Sequence, residues 1–147
     1  MMRKTVLIIV GVLLLTIALV GCGTQKLPEG CPPKCSGLYL YQYKLNNLDL
    51  SNADFSKADL TRAFLRGVNF SKTNLQGAIL CYADMTGANL TNADLRGADM
   101  RFANLDKADL TGANLEGANL LGTRYRPATT KWPEGFDYKK AGAVPIQ

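Results

Sequence analysis

The chain has 147 residues, 47% of them hydrophobic, a formal charge of +5 and no histidine. Lack of histidine excludes the usual catalytic triads and the commonest metal ligand, so no catalytic residue, metal site or cofactor is expected. The positive charge does not mark a nucleic-acid binder either. Residues 45–122 carry seven basic and nine acidic side chains, net −2, and the excess lies scattered in the flanks.

Arg3 and Lys4 precede an apolar run from Val6 to Val20, followed by Gly21 and Cys22. A basic start, a short apolar stretch and a small residue before the break predict an export signal over 1–21. The run falls short of the about 20 residues that span a bilayer. Leu19-Val20-Gly21-Cys22 resembles the bacterial lipobox, which is cut before a cysteine that then receives lipid. That resemblance implies a membrane anchor at Cys22, on the outer face of the cell membrane. In a two-membrane bacterium, Gly23 in place of Asp favours the outer membrane or its periplasmic face. An uncleaved signal anchor is the other reading. The remaining chain is long enough for one domain.

Residues 22–37 read as a tether of Gly, Pro and polar residues without periodicity. Within it stands Cys31-Pro32-Pro33-Lys34-Cys35. Two nearby cysteines in an exported chain pair more often than they bind metal, so a Cys31–Cys35 disulfide is favoured over free thiols. Residues 38–44, with the run Leu38-Tyr39-Leu40-Tyr41-Gln42-Tyr43, are expected to cap the first regular unit of the repeats.

From 45 to 124 one pattern governs. Leu, Phe or Met recurs at every fifth position from Leu50 to Leu120, fifteen times without interruption. Ala stands two places earlier in all but Leu48, Val68 and Thr73, and Asp or Asn one place earlier in all but Phe64 and Ile79. A period of five suits neither an amphipathic helix nor an alternating strand. The chain must turn once per repeat to keep the large and small residues inward, with Asp and Asn facing out toward backbone amides. Gly two places after the large residue, as at Gly67 and Gly97, suits a tight corner.

This stretch closely resembles the pentapeptide-repeat family, whose unit is seen in Ala93-Asp94-Leu95-Arg96-Gly97. The resemblance implies an all-β fold, a right-handed quadrilateral β-helix with four units per coil, about four coils here and terminal caps. Residues 125–147 would close the far end, with Trp132 and Phe136 covering the last coil. A ligand-binding role for Trp132 is the functional alternative. Cys81 falls one place after a large residue, which the family geometry turns outward.

The outward carboxylates are explained by turn positions, and a filled interior leaves no obvious pocket. No enzyme, small-molecule substrate or nucleic-acid partner is expected. Some family members mimic DNA and bind topoisomerases, but the export signal and the weak acidity argue against that here. The reading is a lipid-anchored structural or protein-interaction module of the cell envelope, with an unidentified protein partner or a second copy. Laid on twenty-residue coils, Ile79, Tyr82, Phe102 and Leu121, joined by Phe64, form one exposed apolar patch, which usually marks an interface. A terminal flank folded over that face is the alternative.

Overall fold

The structure, a computed structural model, describes residues 27–147. The expected leader over 1–21 and the lipid acceptor Cys22 lie outside the described residues. Each five-residue unit makes one turn and contributes one residue to a parallel bridge twenty residues away, as in Asp59↔Ile79 and Ile79↔Asp99. Four bridge columns therefore run the length of the rod, one on each side of a square coil. The large residues fill the interior: Leu60, Leu80, Leu90 and Met100 are wholly buried, and the alanines between them are 0–6% exposed apart from the half-buried Ala118.

A complete accounting of amide donors explains the unit. In residues 88–92, Ala88 N–H donates to the Met85 carbonyl, Asn89 N–H to Val68 of the coil below, and Leu90 and Asn92 N–H to Asp109 and Thr111 of the coil above. One donor remains, Thr91 N–H, and the Asn89 Oδ1 accepts it at 3.1 Å. All thirteen Asp or Asn residues of the pattern do the same for the amide two places on. The outward Asp or Asn is thus the acceptor that completes the unit. Where Thr replaces the small inward Ala, its buried hydroxyl is also satisfied: Thr73 Oγ1 donates to the Leu50 carbonyl at 2.8 Å, and Thr123 Oγ1 to Met100 at 2.7 Å.

The winding starts earlier than expected. Cys35, Leu40 and Leu45 are wholly buried in the large position, and Lys34, Tyr39 and Lys44 bridge to Asp54, Asp59 and Phe64. Residues 34–37 therefore belong to the first coil and not to a tether, and 38–44 form its second side and the next corner and are not a cap. The columns are five residues deep, as in Lys34, Asp54, Asn74, Asp94 and Asn114, and the one from Lys44 gains a sixth at Val144. Five coils at about 4.8 Å give a rod about 24 Å long, one coil more than expected.

The entry end is closed by a small loop. Cys31 and Cys35 are joined in a disulfide with Cα atoms 5.0 Å apart, and Leu27 and Cys31 pack on the core. At the exit end Tyr125 fills the last regular large position. A longer connection then shifts the register, so that Asp109 bridges to Lys131, twenty-two residues on. The next inward residue is Trp132, too large to enter the square, and it lies across the end. Its ring meets Tyr125 edge-on at 5.5 Å and stacks on Tyr138 at 4.9 Å and Phe136 at 6.1 Å. Above it, β1 (Arg124–Tyr125) pairs in parallel with β2 (Val144–Pro145). The Arg126 guanidinium, 2.7 Å from the nearly buried Asp106 carboxylate, ties this cap to the last full coil.

Candidate functional site

Three sides of the coil keep the rules of the unit closely; the side built on Leu40, Leu60, Leu80, Met100 and Leu120 breaks two of them. The first broken rule is the acceptor. Ile79 stands where Asp or Asn would receive the amide of Cys81, and its side chain cannot accept. Phe64, on the adjoining side, makes the same break, but there Asn46 Oδ1 of the coil below takes the Arg66 amide at 2.8 Å.

The second broken rule concerns the corner, two places after the large residue, where the backbone has positive φ. On the other three sides this corner holds Gly, Asn or Lys. On this side Gln42 is followed by Arg62, Tyr82 and Phe102, the last three with φ of 56°, 59° and 59°. A residue with a Cβ pays roughly 1–2 kcal/mol to sit there. The Tyr82 and Phe102 rings stack with centroids 5.0 Å apart and planes inclined by 17°, which returns only about 0.5–1.5 kcal/mol. Gly122, the next corner up, leaves room for this pair: a Cβ there would stand 2.6 Å from Phe102 Cδ1.

Ile79, Tyr82, Phe102 and Leu121 share this face as expected from the register, and all are exposed, Tyr82 by 54% and Leu121 by 57%. Phe64 is exposed too but stands on the adjoining side, in the column of Lys44 and Asp84. The C-terminal residues close the end of the rod and reach only the top of the face, where Gly142 meets Leu121 and accepts the Gly122 amide at 2.9 Å. Tyr82 and Phe102 stay 54% and 45% exposed, so the described residues of the two flanks leave them open.

The patch also extends a coil further than the sequence predicts. Tyr39, 60% exposed, and Tyr41 stack on each other at 6.1 Å below it. Their signal lies in Leu40, which is in phase with Leu60 and carries its neighbours into the same columns. Between Tyr41 and Arg101 the small side chains of Thr61 and Cys81 form the floor of a notch of about 400 Å³, walled by Arg62, Tyr82 and Phe102. The Arg62 Cζ lies 5.6 Å from the Tyr82 ring centroid. Arg101 grips Asp99 through Nε and Nη2 at 2.9 and 2.7 Å. Hydrogen bonding from Arg101 holds the Asp99 carboxyl below its ordinary range, and burial pushes the Cys81 thiol up. Cys81 is thus mostly the protonated thiol at neutral pH and a weak nucleophile.

A family model described as "Pentapeptide repeats" matches the chain in eight copies over residues 34–71, 49–87, 69–101 and 83–122. Among solved structures, HetL from the cyanobacterium Nostoc sp. strain PCC 7120, a pentapeptide repeat protein involved in heterocyst differentiation regulation, is similar at 31% identity. The likeness covers 70% of this chain and 50% of that one, with a TM-score of 0.59. The chain thus spans half the length of HetL. A trypsin-treated variant of QnrB1, a plasmid-mediated fluoroquinolone resistance protein, is similar at 19% identity over 78% of this chain and 67% of that one, with a TM-score of 0.62. No curated protein matches. These likenesses establish the fold as a right-handed quadrilateral β-helix.

Proposed function

The chain belongs to the pentapeptide-repeat family, and from that premise we propose that it is a protein-interaction module of the cell envelope. Lipid on Cys22 holds it to a membrane, and the Tyr82–Phe102 face meets a protein partner. One observation carries the second half. Two large aromatic residues occupy corners with φ of 59° where Gly or Asn would serve the fold better, and both remain exposed. Side chains kept at a conformational cost and left in water answer to something other than the rod's own stability.

Two further facts fit a binding role better than catalysis. The aspartates of the repeats are engaged with backbone amides, hydroxyls or basic side chains. The core is filled by the repeat itself. The alternative, mimicry of DNA toward a topoisomerase, finds little support in repeats of net charge −2. The likeness to QnrB1, at 19% identity, extends to the fold alone.

The test has two arms. Cys22→Ser should abolish lipid attachment and signal cleavage together; a variant that matures to the wild-type mass refutes the anchor. Tyr82→Asn with Phe102→Asn suits the corner geometry and should keep the melting temperature. Crosslinking in intact envelopes should then lose the wild-type adduct. Retention of that adduct sinks the assignment of this face.

A further inference from the structure

The notch on the aromatic face carries an uncompensated charge. Of its two guanidiniums, Arg101 is neutralised by Asp99. Arg62 has no carboxylate partner among the described residues, although Asp59 lies three places back on the same side. Asp59 Oδ1 instead accepts the Thr61 amide at 2.9 Å. Arg62 is held by the Tyr82 ring, a cation–π contact that positions the guanidinium without consuming its N–H fork. Beside it lie the apolar edges of Tyr82 and Phe102 and the small floor of Thr61 and Cys81.

We infer that this notch receives an acidic segment of a protein partner, with one carboxylate on the Arg62 fork and an adjacent apolar side chain over Thr61 and Cys81. The inference rests on the proposed reading of the face as a protein interface and adds the chemistry of what it binds. Charge complementarity selects the occupant. Arg–carboxylate pairs are bidentate and directional, and one free guanidinium flanked by aromatic rings suits a single carboxylate attached to apolar surface. A nucleic acid needs a basic stripe that meets many phosphates, and the repeats are net negative. An anionic membrane is recruited by clusters of about 4–8 Lys or Arg, which this face lacks.

The full chain, labelled away from this face, is probed with an array of random octapeptides and with phosphatidylglycerol vesicles. Peptides that bind should be enriched in Asp or Glu next to Leu, Ile, Phe or Tyr, and the best of them should slow alkylation of Cys81. Arg62→Gly suits the φ of 56° found there, as at the eight corners from Gly37 to Gly122 where Gly already stands, so it should fold. It should weaken the acidic peptides at least about tenfold, the weight of one charge-assisted contact, and erase the acidic preference; Arg62→Lys should restore part of both. Enrichment without acidic positions, an acidic preference that survives Arg62→Gly, or absence of any enrichment would each overturn the inference. So would Arg62-dependent binding to the vesicles alone, or self-association that Arg62→Gly abolishes. The two readings fail separately. Peptide binding that needs Tyr82 and Phe102 but shows no acidic preference leaves the interface standing and removes the acidic partner. Wild-type peptide binding by the Tyr82→Asn, Phe102→Asn variant removes the interface itself.

Discussion

The side built on Leu80 and the opposite side built on Leu90 share one core and one backbone path, yet they read differently from outside. On the Leu90 side, Asp49, Asn69, Asn89 and Asp109 all accept the amide two places on, from Ser51, Ser71, Thr91 and Thr111. Its corners are Asn52, Lys72, Asn92 and Gly112. On the Leu80 side an isoleucine replaces an acceptor and two aromatics replace corner residues. In its middle units, residues 68–72 and 88–92, every amide has an acceptor, so that side shows what the fold alone requires. The second departs from those requirements in the coils where apolar surface is exposed. In a repeat protein the internal standard is present in every coil, and function is legible as a residual against it.

The largest predicted effect erases the contrast. Leu80→Arg and Leu90→Arg each bury a charge in the shared core, where both residues are wholly buried, and each should destabilise by several kcal/mol. Thr91→Arg, one place on and facing out, should be tolerated. Urea denaturation that separates the two core variants widely would show that the sides do not rest on the same interior.

Exchange of the acceptor comes next. Asn89→Ile copies the break at Ile79 onto the regular side and should cost about 1–3 kcal/mol, since the Thr91 amide loses its acceptor. The reverse change, Ile79→Asn, should stabilise by about 0.5–1.5 kcal/mol. If Ile79→Asn destabilises instead, Ile79 is a packing residue and not a departure from the rule.

Corner exchange should be smaller. Asn92→Phe places an aromatic ring at a φ of 56° without a stacking partner and should cost about 1 kcal/mol. Phe102→Asn loses the stack but relieves the corner and should change the melting temperature little. A substantial loss with Phe102→Asn would make the Tyr82–Phe102 pair a stabilising device.

Acid should discriminate least between the sides. Asp49 on the regular side is held below the ordinary carboxylate value of 3.8, first by the Ser51 amide, and Asp99 on the aromatic side by Arg101. A carboxyl lowered on folding favours the folded state while it is ionised. This contribution is fully present above the unfolded value and is lost as pH falls below about 3.8 toward the folded one. Asp49→Asn and Asp99→Asn keep the Oδ1 acceptor, so each should shrink the drop in melting temperature between pH 7 and pH 3. An undiminished drop would locate the acid sensitivity elsewhere.

The core was legible because Leu, Phe and Met keep phase from Leu50 to Leu120, and the aromatic face because four of its members keep the same phase. The ends were less so, for a physical reason. A first coil has no coil beneath it, so the demand for Ala and Asp relaxes, and Leu38, Tyr39, Tyr43 and Lys44 can occupy positions that are strict in the middle. Only Cys35, Leu40 and Leu45 preserved the period. At the other end the longer step between Tyr125 and Trp132 breaks the count of five, and no period reveals which residue lies across the rod. Arg62 has the look of any surface charge in the sequence, which shows neither its seat by the Tyr82 ring nor the engagement of Asp59 elsewhere.

The bridge spacing of twenty residues also sets how such a gene can change length. An in-frame duplication of twenty residues adds one full coil and returns every later side chain to its own side, so the aromatic face is stretched but stays in line. A duplication of five residues turns everything above it by a quarter circle. Placed between Tyr82 and Phe102, that small insertion keeps every core position filled, yet sends Phe102 round a corner from its partner. The molecule would fold as before and lose its face, at a cost in stability no larger than the about 0.5–1.5 kcal/mol of the broken stack.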